Sequence, residues 1–157
     1  MQINKIRSKG SYILLCELLR DVRLRIGSLG IHDLKKGNYI YIGSALGPGG
    51  LYSRICRHFK KNKRVWWHID YLTTRPECII RLVIIIPSKS RLECIISKKL
   101  YEAGFRAPIH KFGSMDCDCF SHLFLMESME RLKDLLLGLN LDYFIVTRKE
   151  LMKICFK

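Results

Sequence analysis

The chain has 157 residues, 48% of them apolar, and a formal net charge of +14 from 28 Lys+Arg against 14 Asp+Glu. That size and composition fit one domain with at most a small appendage, and the positive potential attracts polyanions and makes nucleic acid the leading partner class. The longest apolar run, Ile79 to Ile86, is broken by Arg81 and is far short of the roughly 20 residues that a bilayer span needs. A membrane protein is therefore not expected, and the basic N-terminus leads into no sustained hydrophobic segment with a small-residue cleavage site, which points to an intracellular, cytoplasmic chain.

Ser11 to Cys16 is rich enough in β-branched and aromatic residues for a central strand, and Val22 to Ile26 alternates apolar and basic as a half-buried edge strand does. Gly27-Ser28-Leu29-Gly30 and Lys35-Lys36-Gly37-Asn38 are turn signals. Between the second of them and Gly43 lies the strand Tyr39-Ile40-Tyr41-Ile42, with both tyrosines on one face and both isoleucines on the other. After the loop Gly47-Pro48-Gly49-Gly50, Leu51, Ile55, Cys56 and Phe59 recur at helical spacing, which leaves Arg54, Arg57, His58 and Lys61 on the remaining surface.

The polar stretch Lys60 to Arg64 is followed by the aromatic-dense Val65 to Leu72, which reads as helical until Pro76 interrupts it. Ile79 to Ile86 reads as a buried strand. Ser90-Arg91-Leu92-Glu93 has the form of a capping box for a helix that runs to about Ala103 and stops at Gly104. Phe105 to Asp118 is loop-like, and Cys119 to Met126 reads as a short strand. Glu127 to Leu139 carries a leucine stripe, Tyr143 to Val146 a strand pattern, and Thr147-Arg148-Lys149-Glu150 a second capping box that opens a terminal helix.

Seven cysteines is an odd number, and Cys16, Cys56, Cys78 and Cys155 stand singly among apolar residues, where a thiol behaves as a small hydrophobe. No disulfide framework is expected. Cys117-Asp118-Cys119-Phe120-Ser121-His122 invites a zinc reading with Cys94 or His110 as the fourth ligand. Its C-x-C-x-x-H spacing is not that of a standard closed tetrahedral site, however. Structural zinc is therefore not expected, and burial, or a disulfide from Cys94 to Cys117 or Cys119, is.

Hydrolysis of a phosphodiester needs a water that can be deprotonated, a cation or metal to neutralise the transition-state oxygens, and help for the leaving oxygen. A Tyr, an Arg, a His and a carboxylate can share those tasks. The candidates are Tyr12 and Tyr41 on neighbouring strands, Arg54 on the helix after the glycine loop, His58 or His68, and Glu93 at a helix start.

In that order, Gly10-Ser11-Tyr12, Tyr41-Ile42-Gly43-Ser44-Ala45, Ser53-Arg54-Ile55-Cys56-Arg57-His58-Phe59, His68 and Glu93 resemble the GIY-YIG nuclease family. The strings Trp67 to Leu72 and Phe112 to Leu123 are similar to a branch common in archaea and sometimes fused to a DNA-repair glycosylase. The resemblance covers about residues 10 to 125. It implies an α+β fold with three antiparallel core strands flanked by helices, plus an inserted edge strand, because 28 residues separate Tyr12 from Tyr41. The nuclease-like domain would span 1–126, with a helical extension, 127–157, packed on or beside it.

By the same resemblance, Tyr41 would be the general base or would orient the attacking water, and Tyr12 would support it. Arg54 would bind the scissile phosphate, Glu93 would hold one Mg²⁺ or Mn²⁺ ion, and His68 would assist proton transfer or bind phosphate. Arg57, His58, Lys60, Lys61, Lys63 and Arg64 would contact nucleic acid, DNA first, in repair or recombination. The C-terminal helix would offer a surface to a protein partner. The competing reading is a non-catalytic nucleic-acid-binding module that keeps the fold and the basic face. Read without the resemblance, the two tyrosines would sit in the core, Glu93 would cap its helix, and Trp66, Trp67 and Tyr71 would anchor a helix on the sheet.

Overall fold

Strand β1, Gly10–Leu18, is apolar on both faces, and a strand of that kind belongs in the middle of a covered sheet. The computed structural model, which describes residues 2–156, places it there. β4 (Gly37–Ala45) and β5 (Cys78–Pro87) pair antiparallel on either side of β1, β6 (Leu123–Leu125) pairs outside β4, and β7 (Phe144–Thr147) outside β5. The expected α+β architecture with a central antiparallel sheet is present, but the sheet has five strands, not three.

The insertion between β1 and β4 does not widen this sheet. β2 (Val22–Arg25) and β3 (Ile31–Leu34) form a separate two-stranded hairpin, so the edge strand expected at Val22 to Ile26 belongs to its own unit. The side chains of β2 alternate between buried Val22 and Leu24 and exposed Arg23 and Arg25, and the helix His68–Thr73 packs beside them. A two-stranded ribbon is marginal by itself, and the buried half of this one supplies its anchor.

Helices cover both faces of the sheet. On one face, the side chains of Tyr12, Leu14, Cys16, Tyr39 and Tyr41 meet α2 (Gly50–Phe59), α3 (His68–Thr73) and α6 (Arg148–Cys155) in one core that also holds Ile6 of α1 (Gln2–Ile6). On the other, Ile13, Ile40, Ile42, Ile84 and Ile86 pack against α4 (Glu93–Glu102) and α5 (Met129–Gly138). The alternation read in Tyr39 to Ile42 is thus the alternation between two cores.

Residues 127–157, expected as a helical extension, contribute α5, β7 and α6, and β7 extends the main sheet along β5. Met1 and Lys157, the outer limits of the expected domains, lie outside the described residues. Cys56 and Cys155, expected as small hydrophobes, are joined in a disulfide between α2 and α6. Their 99-residue separation in sequence hides a Cα–Cα distance of 5.3 Å. Among the described residues no helix is long and apolar enough to cross a membrane.

Candidate functional site

The site begins with how β1 and β4 fit together. Tyr12 lies directly opposite Gly43 in the antiparallel register, and Leu14 opposite Tyr41, which makes the two tyrosines diagonal neighbours on one face. A Cβ on Gly43 would stand 2.5 Å from the Tyr12 ring. The glycine of Tyr41-Ile42-Gly43 is thus the residue that lets the Tyr12 ring lie across β4. Gly113, with φ +72, approaches Tyr41, and a Cβ there would come 3.0 Å from the Tyr41 ring.

Ser11, which stands where the resembled motif has isoleucine, links three elements. Its hydroxyl shares a 3.0 Å hydrogen bond with the Ser44 hydroxyl on β4 and accepts one from the Leu92 amide at 3.3 Å. Leu92 is the N-cap of α4 and has no side-chain cap of its own, so the capping box expected from Ser90 to Glu93 does not form. Instead, β1 caps α4, and Glu93, its first residue, enters the same cleft as Tyr12 with its carboxylate 3.3 Å from Arg91.

The resulting cleft has a volume of about 740 Å³. Tyr12, Tyr41, Arg54, His68 and Glu93 all line it, supplied by β1, β4, α2, α3 and α4 respectively. Arg54 donates to the Ser44 carbonyl at 3.0 Å, and its guanidinium lies 4.2 Å from the centre of the Trp67 ring. That contact and the bond to Ser44 fix its position. The α3 helix starts at His68, not at Val65, because Trp67 is its N-cap, and Trp66 is exposed instead of anchoring the sheet.

Protonation states follow from burial. The Tyr12 hydroxyl is 2.7 Å from His58 Nε2, and burial raises the pKa values of both Tyr12 and Tyr41 well above the ordinary phenol range. His58, expected on the basic surface, is buried, because it sits on the side of α2 that meets β1 and β4. Burial, with nearby Lys63 adding to it, depresses its pKa to about 3, so the ring is neutral. Its Nδ1 is buried without a hydrogen-bond partner. His68 Nδ1 accepts the Gly113 amide at 2.8 Å, which leaves Nε2 as the protonated nitrogen of its neutral ring, a form that burial favours.

The basic segment that was expected to meet nucleic acid is divided. Arg57 is held bidentate by Asp70, with both distances 2.9 Å. Lys61 donates to the carbonyls of Thr73, Arg75 and Cys78, and Lys63 to those of Arg57 and His58 and to the Thr73 hydroxyl. These lysines neutralise the C-terminal ends of α3 and α2, where carbonyls lack helical partners. Lys60 and Arg64 are exposed. Asp70, which the sequence analysis did not single out, accepts from the Trp66 and Trp67 amides as well. As the third helical residue after Trp67 and the one acid in a basic stretch, it carried a legible signal.

One wall of the cleft is formed by Cys94, Cys117 and His122. Together with Cys119, their ligand atoms lie within 4.8 Å of one another, a cluster that could hold a metal ion. These cysteines are free thiols, so the disulfide expected from Cys94 does not form. His110, the other candidate fourth ligand, lies tilted against Phe120 instead, with ring centres 4.4 Å apart.

Fold and cleft together define a small basic α+β protein with a polar pocket at the centre of its sheet. Residues 11–142 match the family described as Domain of unknown function DUF123, and the chain belongs to it. Comparisons with curated proteins and with solved structures give no match.

Proposed function

We propose that the chain is a metal-dependent endonuclease of the GIY-YIG type, acting on DNA. The observation that carries this reading is the convergence of Tyr12, Tyr41, Arg54, His68 and Glu93, scattered over five elements, on one cleft. The diagonal placement of Tyr12 and Tyr41 across Gly43 supports it as well.

The chemistry divides among these residues. Both phenols keep their protons at neutral pH, so Tyr41 orients the attacking water as a neutral hydrogen-bonding group while Tyr12, fixed by His58, supports it. Arg54 binds the scissile phosphate and stabilises charge on its oxygens. His68, with its proton on Nε2, donates to the phosphate or to the leaving oxygen. Glu93 fits a hard divalent ion, since Mg²⁺ is commonly held by one or two carboxylates, waters and phosphate oxygens. When bound there, Mg²⁺ or Mn²⁺ supplies Lewis-acid neutralisation of the phosphoryl charge.

The test is cleavage of labelled duplex, flap, junction and single-stranded DNA with and without Mg²⁺ or Mn²⁺, using Glu93→Ala and Arg54→Ala as matched controls. Metal-dependent cutting that both substitutions abolish, with the fold intact, is the expected result. Salt-sensitive binding without cutting in either metal would replace this reading with the non-catalytic module.

A further inference from the structure

Three thiols and an imidazole meet beside the cleft, and the phosphodiester chemistry above uses none of them. Cys94 is the second residue of α4, Cys117 and Cys119 lie in the loop that follows Gly113, and His122 directly precedes β6. Cys117 Sγ and His122 Nε2 are 3.7 Å apart, and all four ligand atoms fall within 4.8 Å of one another. In a tetrahedral zinc site with bonds of about 2.3 Å to sulfur and about 2.0–2.1 Å to nitrogen, the ligand atoms stand roughly 3.6–3.8 Å apart. Small side-chain rotations therefore close this set.

The backbone around the four residues is already fixed. The His122 amide donates to the Phe112 carbonyl at 2.8 Å, and its carbonyl accepts from Ile42 on β4 at 3.0 Å. Lys111 reaches the Cys117 carbonyl at 2.9 Å, and Lys98 of α4 pairs with Asp118. Phe120, between the ligands, packs on Tyr101 of α4 and on His110. The donors are thus presented by anchored segments, and thiolate with imidazole is a donor set that suits zinc and not a hard ion.

We propose that Cys94, Cys117, Cys119 and His122 bind one structural zinc ion that ties the 113–122 loop to the start of α4. Four protein ligands complete a tetrahedral shell, so the ion is separate from the hard cation assigned to Glu93 and leaves no position for a water. Its role is to hold the cleft wall. Cys94 follows Glu93 directly, and the loop's first residue, Gly113, is the one whose amide holds His68. This inference does not depend on the nuclease reading.

The experiment uses the full chain prepared under reducing conditions without chelator. Metal analysis should give one zinc per chain for the native protein and for His110→Gln, and loss of it in Cys94→Ser and Cys119→Ser. Because those two variants can fail to fold, the native protein is also exchanged with Co²⁺. The thiolate-to-cobalt charge-transfer bands and intense visible bands of a tetrahedral site are expected, together with a lower melting temperature after chelation. Folded native protein with neither stoichiometric zinc nor those cobalt bands would overturn the proposal. So would zinc lost in His110→Gln but kept in folded Cys94→Ser, and so would a disulfide among Cys94, Cys117 and Cys119 in the reduced preparation. None of these readouts involves DNA cleavage, so failure of the zinc site and failure of the nuclease reading are separable.

Discussion

In the middle of α2, Arg54 lines an open cleft with Tyr12, Tyr41, His68 and Glu93. One turn later Arg57, followed by Lys61 and Lys63, is spent on Asp70 and on backbone carbonyls. Both regions draw basic residues from one short stretch of chain, yet the arginine of the first faces the cleft while those residues in the second are bound up in the fold. Behind the first, the buried His58 bonds the Tyr12 hydroxyl and keeps Nδ1 without a partner. In the second, donors are matched with acceptors, and the charge that suggested a DNA-binding face serves instead to close two helix ends. A count of basic residues therefore measures long-range attraction, whereas hydrogen-bond saturation decides which of them can meet a ligand.

The largest effect should come from the cleft. Glu93→Gln keeps the size of the side chain and removes its charge, and should lower metal-dependent cleavage by at least about 100-fold, the scale for losing one transition-state electrostatic contact. Single-turnover assays at saturating protein would detect this, and near-native rates would break the distinction between the regions.

Next is Asp70→Asn in the saturated region. Asp70 has no exposed side-chain surface, and removing its charge strands Arg57 and Lys63. Breaking a buried pair in this way costs roughly 3–5 kcal/mol, a fall in Tm on the order of 10 °C at this chain length. Burial pushes the Asp70 carboxyl up, but Arg57 and the Trp67 and Trp66 amides more than offset that and hold it below 3.8. Its stabilisation is accordingly complete above the ordinary carboxylate range and is lost as pH falls through the lowered value.

Gly43→Ala should cost about 1–3 kcal/mol, as overpacking does, because the new methyl meets the Tyr12 ring. Calorimetry and the cleavage assay should fall together. His58 gives a pH signature of its own. Its folded pKa of about 3 lies below the ordinary 6.5, so the unfolded chain binds the extra proton and stability declines as pH drops from about 6.5 towards about 3. Urea titrations of His58→Gln should show a flatter slope across that window, and an unchanged slope would place the proton elsewhere.

The smallest effect sharpens the comparison most. Lys60→Ala with Arg64→Ala should weaken DNA binding and reduce its salt dependence while changing stability by no more than about 0.5 kcal/mol per site. Lys61→Met should do the reverse, leaving the salt slope alone and lowering Tm.

Periodicity determined much of this protein. The alternation in Tyr39 to Ile42, the double-sided apolar character of β1, the 3.6-residue stripe of α2 and the capping box at Thr147 each correspond to an element in place. Those signals are local, because which face of a strand or helix is buried is written in the spacing of its own residues. The motif order also singled out five of the residues that line the cleft, each by its place on its own element.

What the sequence left open is decided by contacts between distant segments. Ser11 replaces Ser90 as the cap of α4, Cys56 finds Cys155 across 99 residues, His58 turns inward to Tyr12, and Cys94 joins the cluster where His110 was an equal candidate. Hydrogen bonds and thiol clusters depend on distances of a few ångströms between side chains, and only the folded sheet and the helices upon it set those distances. The sequence by itself determined which residues have chemistry to offer. The tertiary structure decided which of them are already spent on the fold and which face the cleft.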